Sequence, residues 1–172
     1  MIGHLLQKWT QLGAAQIAVV CAADAKSLGT ELDRIGFPLA NRIVNPAPEN
    51  GMFSSIQCAA NSGGWNPDLT HWIITLGDQP HLKAATLQTL LEFGARHPDK
   101  ICQPMRGGRR KHPGLFPERF FRELKTSSAD DLKLFLQEHA SNLSGFESDD
   151  MGLDLDMDTP EDYERVKSLA QP

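Results

Sequence analysis

The sequence predicts an α/β fold in which a mostly parallel β-sheet is covered by helices on both faces. Short apolar runs, such as residues 16–21 and 72–76, alternate with longer segments whose apolar side chains recur at helical spacing. The 172 residues, 40% of them hydrophobic, contain no repeat and no low-complexity linker. A chain of this length can build one sizeable core, so we expect residues 1–172 to form a single domain.

The first half of the chain is predicted to alternate helices with short strands. Apolar spacing indicates a helix over residues 2–12, which Gly13 would end as a C-cap. The elements that follow are a buried strand at 16–21, a helix at 25–35 and a short strand at 42–45. A loop rich in proline and asparagine then leads into a helix over residues 52–61.

The second half continues this alternation and ends in a helix. Strands or extended segments are predicted at residues 72–76, 101–103, 112–116 and 143–146. Helices are predicted at residues 83–96, 117–124, 129–139 and 160–169. A basic turn that contains two glycines, residues 106–111, lies between the second and third of these strands.

The segment 71–80, His-Trp-Ile-Ile-Thr-Leu-Gly-Asp-Gln-Pro, is the most informative part of the sequence. Its β-branched apolar run indicates a buried strand that stops abruptly at Gly-Asp-Gln-Pro. Open α/β sheets bind ligands at the carboxyl ends of their strands, so Asp78 is a candidate metal-binding or catalytic carboxylate. The alternative is that Gly-Asp-Gln-Pro is only a polar turn that ends the strand.

Acidic residues are concentrated near the C-terminus, where residues 147–164 contain nine of the 22 aspartates and glutamates. The Thr-Pro pair at 159–160 suits a helix start, which accounts for part of this charge. It does not account for Asp154, Asp156 and Asp158, which alternate just before that helix. Because Mg²⁺ prefers oxygen ligands, two carboxylates from separate strand ends could form a magnesium site.

The composition excludes several classes of protein. No apolar run approaches the roughly 20 residues that cross a bilayer, and the N-terminus lacks the features of a secretory signal. The net charge of −5 argues against a general nucleic-acid-binding protein. Cys21, Cys58 and Cys102 lack metal-type spacing and are expected to be reduced and buried. We therefore expect a cytoplasmic protein that binds neither nucleic acid nor membrane.

Four segments occur in the order found in one enzyme family. They are residues 45–56, the Leu-Gly-Asp-Gln-Pro stretch 76–80, Lys-His-Pro-Gly-Leu-Phe at 111–116 and Asp-Met-Asp-Thr-Pro-Glu-Asp at 156–162. Together they resemble the MobA-like nucleotidyltransferases, and within them the molybdenum cofactor cytidylyltransferases, over nearly the whole chain. The resemblance implies a Rossmann-like nucleotidyltransferase fold with three α/β/α layers. It also implies transfer of a nucleoside monophosphate from a nucleoside triphosphate, with release of pyrophosphate.

The resemblance assigns roles to the metal-binding and nucleotide-binding residues. Asp78 and Asp156 would be the catalytic carboxylates and would hold Mg²⁺ together. Gly51, Ser54 and Ser55 would approach the nucleotide, because backbone N–H groups at a helix start suit a phosphate or a base carbonyl. The two serines could instead be ordinary residues of a first helical turn.

On the acceptor side, the resemblance places His112 facing the substrate, although this histidine could simply be exposed. The basic turn formed by Arg106, Arg109, Arg110 and Lys111 could meet an anionic acceptor or could be a solvated turn. The implied substrates are CTP and the phosphate of a molybdopterin-type cofactor. Two alternatives remain open: nucleotidyl transfer to a sugar phosphate, and a non-catalytic cofactor-binding or chaperone-like module.

One part of the family pattern is missing from this sequence. Family members open with a strand and a loop of the type L-A-A-G-x-S-x-R-M-G-x-x-K that wraps the triphosphate, whereas this chain begins within the next helix. The resemblance alone therefore does not establish that the chain is an active enzyme. The missing strand would leave two interior sheet edges unpaired, at residues 17–21 and 72–76. We prefer a start site placed too late over a fragment, or a gap closed by rearrangement, self-association or a protein partner.

Overall fold

The computed structural model describes residues 2–155, in which helices and strands alternate as predicted. The helices are α1 (Ile2–Gln11), α2 (Lys26–Arg34), α3 (Met52–Asn61), α4 (Ala84–Arg96), α5 (Glu118–Leu124) and α6 (Leu132–Glu138). The strands are β1 (Val19–Ala22), β2 (Arg42–Asn45), β3 (His71–Ile74), β4 (Ile101–Arg106), β5 (Arg109–Arg110), β6 (Gly114–Pro117) and β7 (Leu143–Glu147). The predicted helix at residues 160–169 and the predicted ligand Asp156 lie outside the described residues.

The strands form two sheets. β1 and β2 pair in parallel, with Val19 opposite Arg42. The larger sheet has the order β3-β6-β4-β5, and β7 also pairs with β4. In this sheet β3, β4 and β7 share one direction, whereas β5 and β6 run the opposite way. The reversal begins at Gly107 and Gly108, whose positive φ angles of 56° and 73° allow a tight turn between β4 and β5.

Helices cover both faces of the larger sheet. Successive residues of a strand point to opposite faces, so neighbours on β6 enter different clusters. Phe116 packs with Trp72 and with Phe121 of α5 on one face. Leu115 packs with Leu90 of α4 on the other face. These two packing layers confirm the predicted three-layer α/β fold. Within residues 2–155, however, the larger sheet is mixed rather than mostly parallel, because the chain reverses after β4 and three of the four strand pairings are antiparallel.

Helix α1 connects the two sheets. Leu5 and Trp9 pack in a cluster with side chains of α4 and its approach loop. Leu6, on a neighbouring face of the same helix, packs against Val19 of β1 and Leu32 of α2. One amphipathic helix therefore holds the small sheet against the α4 layer of the large sheet.

An apolar groove of about 280 Å³ separates β1 from β3. Residues 17–20 line one side of the groove, residues 72–77 line the other, and side chains such as Trp9 and Ile56 complete it. In the described part of the chain β1 pairs only with β2, and β3 only with β6. This arrangement agrees with the prediction that these two strands flank a gap.

The structure of residues 2–155 bears on two predictions from composition, one about the cysteines and one about membrane-spanning segments. All three cysteines are free thiols, but only Cys102 is fully buried, and Cys21 and Cys58 are half-buried. Burial raises the pKa of the Cys102 thiol to about 11. No helix within this range is long and apolar enough to cross a membrane.

Candidate active site

Asp78 lies in a turn shortly after β3, beyond the carboxyl end of that strand. Gly77 is exposed and Gln79 is buried, so the turn is open to solvent on one side and packed on the other. Asp78 as a residue is partly exposed, although its Oδ1 atom is buried. Asp78 thus lies in the polar turn that the sequence indicated, and its role as a metal-binding or catalytic carboxylate stays a prediction.

Lys8 of α1 anchors the backbone just after this turn. Its Nζ atom donates to the carbonyl oxygen of Pro80 at 2.8 Å and also to that of Leu82. Burial lowers the pKa of Lys8, while the nearby Asp150 carboxylate acts in the opposite direction. The ammonium group thus fixes the path of the chain between Asp78 and α4.

Asp150 is a buried carboxylate that ties the acidic segment to the start of α4. It accepts hydrogen bonds from Thr86 Oγ1 at 2.7 Å and from the backbone N–H groups of Lys83 at 3.0 Å and Gly152 at 2.9 Å. Its exposure is only 2%. Donors at a helix start stabilise a buried negative charge, so Asp150 acts as an N-terminal cap supplied from a distant part of the chain.

One hydrogen bond joins the two segments that carry the predicted metal ligands. His81, three residues after Asp78, places its Nε2 atom 3.0 Å from the carbonyl oxygen of Gly152. Gly152 lies four residues before Asp156. The structure therefore brings these two segments together, and the role of Asp156 itself stays a prediction.

Asn45, the last residue of β2, organises the start of α3. Its amide Nδ2 donates to Ser54 Oγ at 2.8 Å and to Ser55 Oγ at 3.0 Å, while Oδ1 accepts from the Ala47 N–H at 2.9 Å. Gly51 precedes the helix with φ 80° and ψ −176°, a conformation open in practice only to glycine. The predicted nucleotide-binding residues Gly51, Ser54 and Ser55 are thus collected at one helix start.

The helix start and the carboxylate turn face the same groove. Met52 and Ser55 line the groove from α3, and Leu76 and Gly77 line it beside Asp78. Among the described residues, Asp78 itself does not line the groove, so contact of a ligand with this carboxylate and with the backbone N–H groups of the helix start stays a prediction.

Strand register places His112 at this edge of the sheet as well. β3 and β6 pair antiparallel with Ile74 opposite Gly114, so residues before Gly114 run beside residues after Ile74. His112, two residues before β6, therefore extends past the same edge as Asp78. Its proposed contact with the acceptor stays a prediction.

Asp154 is held between two cations at the carboxyl end of β4. Arg106 Nε lies 2.6 Å from Asp154 Oδ2, and Lys111 Nζ lies 2.7 Å from Oδ1. Lys111 and then Arg106 hold the pKa of the Asp154 carboxyl below its usual range. Asp154, the first of the three alternating aspartates, therefore forms ion pairs with Arg106 and Lys111 in this structure.

Of the two predicted metal ligands, the described residues include Asp78. Within residues 2–155 no three histidine, cysteine, aspartate or glutamate side chains are grouped to hold a metal ion. Asp78 offers a hard oxygen ligand at an open sheet edge, which fits a cation such as Mg²⁺ that takes one or two carboxylates plus substrate phosphates. The second predicted carboxylate, Asp156, lies outside the described residues.

Sequence reasoning missed Asn45, Lys8 and Asp150. Asn45 carried a usable signal, since an asparagine between a strand and a proline is typical of side chains that bond nearby backbone. Lys8 and Asp150 carried none for their long-range contacts, because Pro80, Leu82 and Thr86 are 64 to 74 residues away from them along the chain.

The fold is an α/β domain with a groove between its two sheets. A family model described as the MobA-like NTP transferase domain matches residues 1–143. The chain belongs to this family, as its sequence motifs predicted. The comparison with curated proteins gave no match.

Three solved structures share the fold over nearly the whole chain. Rv0371c of Mycobacterium tuberculosis H37Rv, in complex with manganese, is 22% identical, with 96% of this chain and 84% of that chain covered and a TM-score of 0.66. An Rv0371c homolog from Mycobacterium sp. strain JC1 is 21% identical, with 98% and 82% covered and a TM-score of 0.71. Molybdopterin-guanine dinucleotide biosynthesis protein A from Archaeoglobus fulgidus is 14% identical, with 96% and 84% covered and a TM-score of 0.60.

Proposed function

We propose that this protein transfers CMP from CTP to a phosphorylated acceptor of the molybdopterin type and releases pyrophosphate. The observation that carries the proposal is the groove that the Asp78 turn and the start of α3 face from two sides. Family membership supports a nucleoside triphosphate as substrate. The name of the Archaeoglobus neighbour supports a molybdopterin acceptor, and the manganese in the Rv0371c structure supports a divalent cation.

The proposed reaction is an in-line displacement at phosphorus. An oxygen of the acceptor phosphate attacks the α-phosphorus of CTP, the bond to the β-phosphate breaks, and pyrophosphate leaves with that electron pair. Such transfers depend mainly on positioning and charge neutralisation. Backbone N–H groups at the start of α3 suit the phosphates or the base, and Asn45 holds the serines of that turn in place.

The proposed metal site uses Asp78 and Asp156, with Mg²⁺ as the resident ion. A divalent cation there would polarise phosphate oxygens and orient the two reactants. On the acceptor side, His112 would contact the substrate beyond the same sheet edge. Its ring could donate a hydrogen bond to an acceptor oxygen.

The test replaces Asp78 with asparagine in the full chain. Asp78→Asn keeps the shape of the side chain but removes the charge that a divalent cation needs. We expect Mg²⁺-dependent CTP binding, measured by isothermal titration calorimetry, to weaken by at least about tenfold, since even residues that only support a metal ligand have effects of this size. Asp68→Asn, at an exposed position before β3, is the control and should leave binding unchanged.

Equal Mg²⁺-dependent CTP binding by the wild type and Asp78→Asn would remove Asp78 from the mechanism. Pyrophosphate release, assayed with CTP, GTP or ATP and with molybdopterin or a sugar phosphate, then identifies the substrates. Tight CTP binding without pyrophosphate release from any pair would favour the non-catalytic module over the enzyme.

A further inference from the structure

The ion-pair cluster of Arg106, Lys111 and Asp154 has the form of an occupied anion site. Arg106 and Lys111 approach different oxygens of one carboxylate, at 2.6 Å and 2.7 Å. Two cations that converge on two oxygens of one group form a two-point clamp. The same pair of contacts suits two non-bridging oxygens of a phosphate, which carries more charge than a carboxylate.

The main chain that carries the clamp is held in place by the sheet. Arg106 is the last residue of β4 and pairs with Arg109. The backbone N–H of Lys111 donates to the Pro104 carbonyl at 2.9 Å, and the buried Gln103 side chain donates to the Lys111 carbonyl at 3.2 Å. The two cations therefore project from fixed backbone positions, and a new anion would not have to reorganise the strands.

The carboxylate within the clamp is easy to replace. Asp154 has 47% of its side chain exposed, whereas Arg106 and Lys111 have 27% and 26% exposed. Because water reaches the Asp154 carboxylate, it screens these ion pairs in part and limits their net free energy. A dianionic group arriving from solvent can therefore compete with Asp154 without the cost of breaking a buried contact.

The clamp lies at the edge of the sheet where the reaction is proposed to occur. It follows the carboxyl end of β4, and Lys111 directly precedes His112. Arg109 and Arg110, the other cations of the basic turn, are exposed on the two-residue strand β5. Two cations of the basic turn, Arg106 and Lys111, therefore converge on Asp154, whereas Arg109 and Arg110 do not.

We propose that Arg106 and Lys111 form a binding site for a phosphate group of a substrate, and that Asp154 occupies this site until the phosphate displaces it. The proposal rests on the proposed function for the identity of that substrate. The phosphate could belong to the acceptor or to the triphosphate of the donor, and the recognition chemistry is the same. Displacement would also free the chain just before Asp156 from its tie to β4.

The test compares anion binding by the full chain and four variants at low ionic strength, using calorimetry with phenyl phosphate and with CTP. Arg106→Gln and Lys111→Gln should each weaken binding by about fivefold or more, the effect of losing one charge-assisted contact. Arg109→Gln removes a cation from the same turn and should change nothing. Asp154→Ala should tighten binding about fivefold, because the internal competitor is gone.

A second control separates displacement from simple removal of negative charge. Asp149→Ala removes an exposed acidic residue from the same segment and should not tighten binding. If the clamp variants lose affinity for phenyl phosphate but not for CTP, the site binds the acceptor phosphate. If they lose affinity for CTP but not for phenyl phosphate, the site binds the triphosphate of the donor. Unchanged affinity for both anions in Arg106→Gln, or in Asp154→Ala, overturns the proposal.

The test also stands apart from that of Asp78. If Asp78→Asn abolishes Mg²⁺-dependent CTP binding while the clamp variants bind both anions normally, only the clamp fails. If the clamp variants behave as expected and Asp78→Asn has no effect, the metal-dependent function fails and the phosphate site remains. Circular dichroism of each variant excludes misfolding, and Arg106→Lys, which keeps the charge, should retain most of the affinity.

Discussion

At the scale of single residues, the site depends on polar side chains that are buried and fully engaged. Asn45 is 1% exposed, and its amide uses both donor hydrogens and its acceptor oxygen within the β2–α3 connection. A buried polar group of this kind costs free energy when it loses its partners. It also limits the conformations of the two serine hydroxyls that face it.

Replacing Asn45 with alanine tests this role. We expect Asn45→Ala to lower the free energy of unfolding by about 1–3 kcal/mol, because the Ser54 and Ser55 hydroxyls lose their donor. Urea denaturation measures the change. The control is Asn61→Ala, at the exposed end of α3, the helix that carries the two serines. It should change the free energy of unfolding by less than about 0.5 kcal/mol. Equal losses in the two variants would contradict the proposed anchoring.

The sequence allowed candidate chemistry-bearing residues to be named, whereas it gave no sign of the long-range contacts that support them. Asp78, Gly51 and the serines stand next to local signals, namely a strand end, a glycine and a helix start. Lys8 and Asp150 act on partners far away in the chain, and no local pattern encodes such a contact. The positions that support a site follow from packing, which short motifs do not describe.

At the scale of elements, glycines show where helices approach the sheet most closely. A Cβ atom at Gly94 of α4 would lie 2.0 Å from Leu115 Cδ2 of β6. Leu115 is itself buried at 5% exposure and has little room to move. Gly29 of α2 is also in a helix, yet a Cβ atom there would meet nothing within 4 Å.

These two glycines should therefore respond to alanine in opposite ways. Gly94→Ala should destabilise the protein by about 1–3 kcal/mol, since the added methyl group overpacks the α4–β6 contact. Gly29→Ala should stabilise it by about 0.5–1 kcal/mol, because alanine is the better helix former. Chemical denaturation of both variants gives the comparison. Stabilisation by Gly94→Ala would show that α4 is not packed closely on β6.

Element identity followed from the sequence, whereas element ends depended on pairing. β2 and α3 have the predicted bounds, because local signals mark both of their ends. β4 runs to Arg106, beyond the predicted residue 103, since its last residues pair with β5 and β7. The reversed direction of β6 likewise depends on the turn at Gly107 and Gly108 and on its partners β3 and β4.

At the scale of the whole molecule, the two sheets differ in how well they are supported. β4 pairs with three other strands, whereas β1 and β2 pair only with each other in the described chain. A two-stranded unit has marginal stability by itself and depends on packing, here against α1, α2 and α3. Coverage of the edges along the groove by a protein partner or a second copy stays one of the less favoured alternatives from the sequence.

Hydrogen exchange should reveal this difference. We expect backbone amides of β4 and β6 to exchange slowest and those of β1 and β2 to exchange faster, because local opening of the small sheet breaks fewer contacts. Exchange measured by mass spectrometry on the full chain provides the comparison, with α4 as a reference for the larger core. Equal protection of β1 and β4 would mean that the two sheets open as one unit.

The sequence by itself determined the α/β class, the order of the elements, the family and the candidate carboxylate Asp78. These follow from local periodicity, turn residues and short motifs, which depend on neighbours along the chain. Only the tertiary structure decided that Asp150 caps α4, that Lys8 anchors the Asp78 loop and that Arg106 and Lys111 share one carboxylate. Each of these contacts joins residues brought together by the folding of distant segments, and their energies depend on burial and geometry that only the packed chain provides.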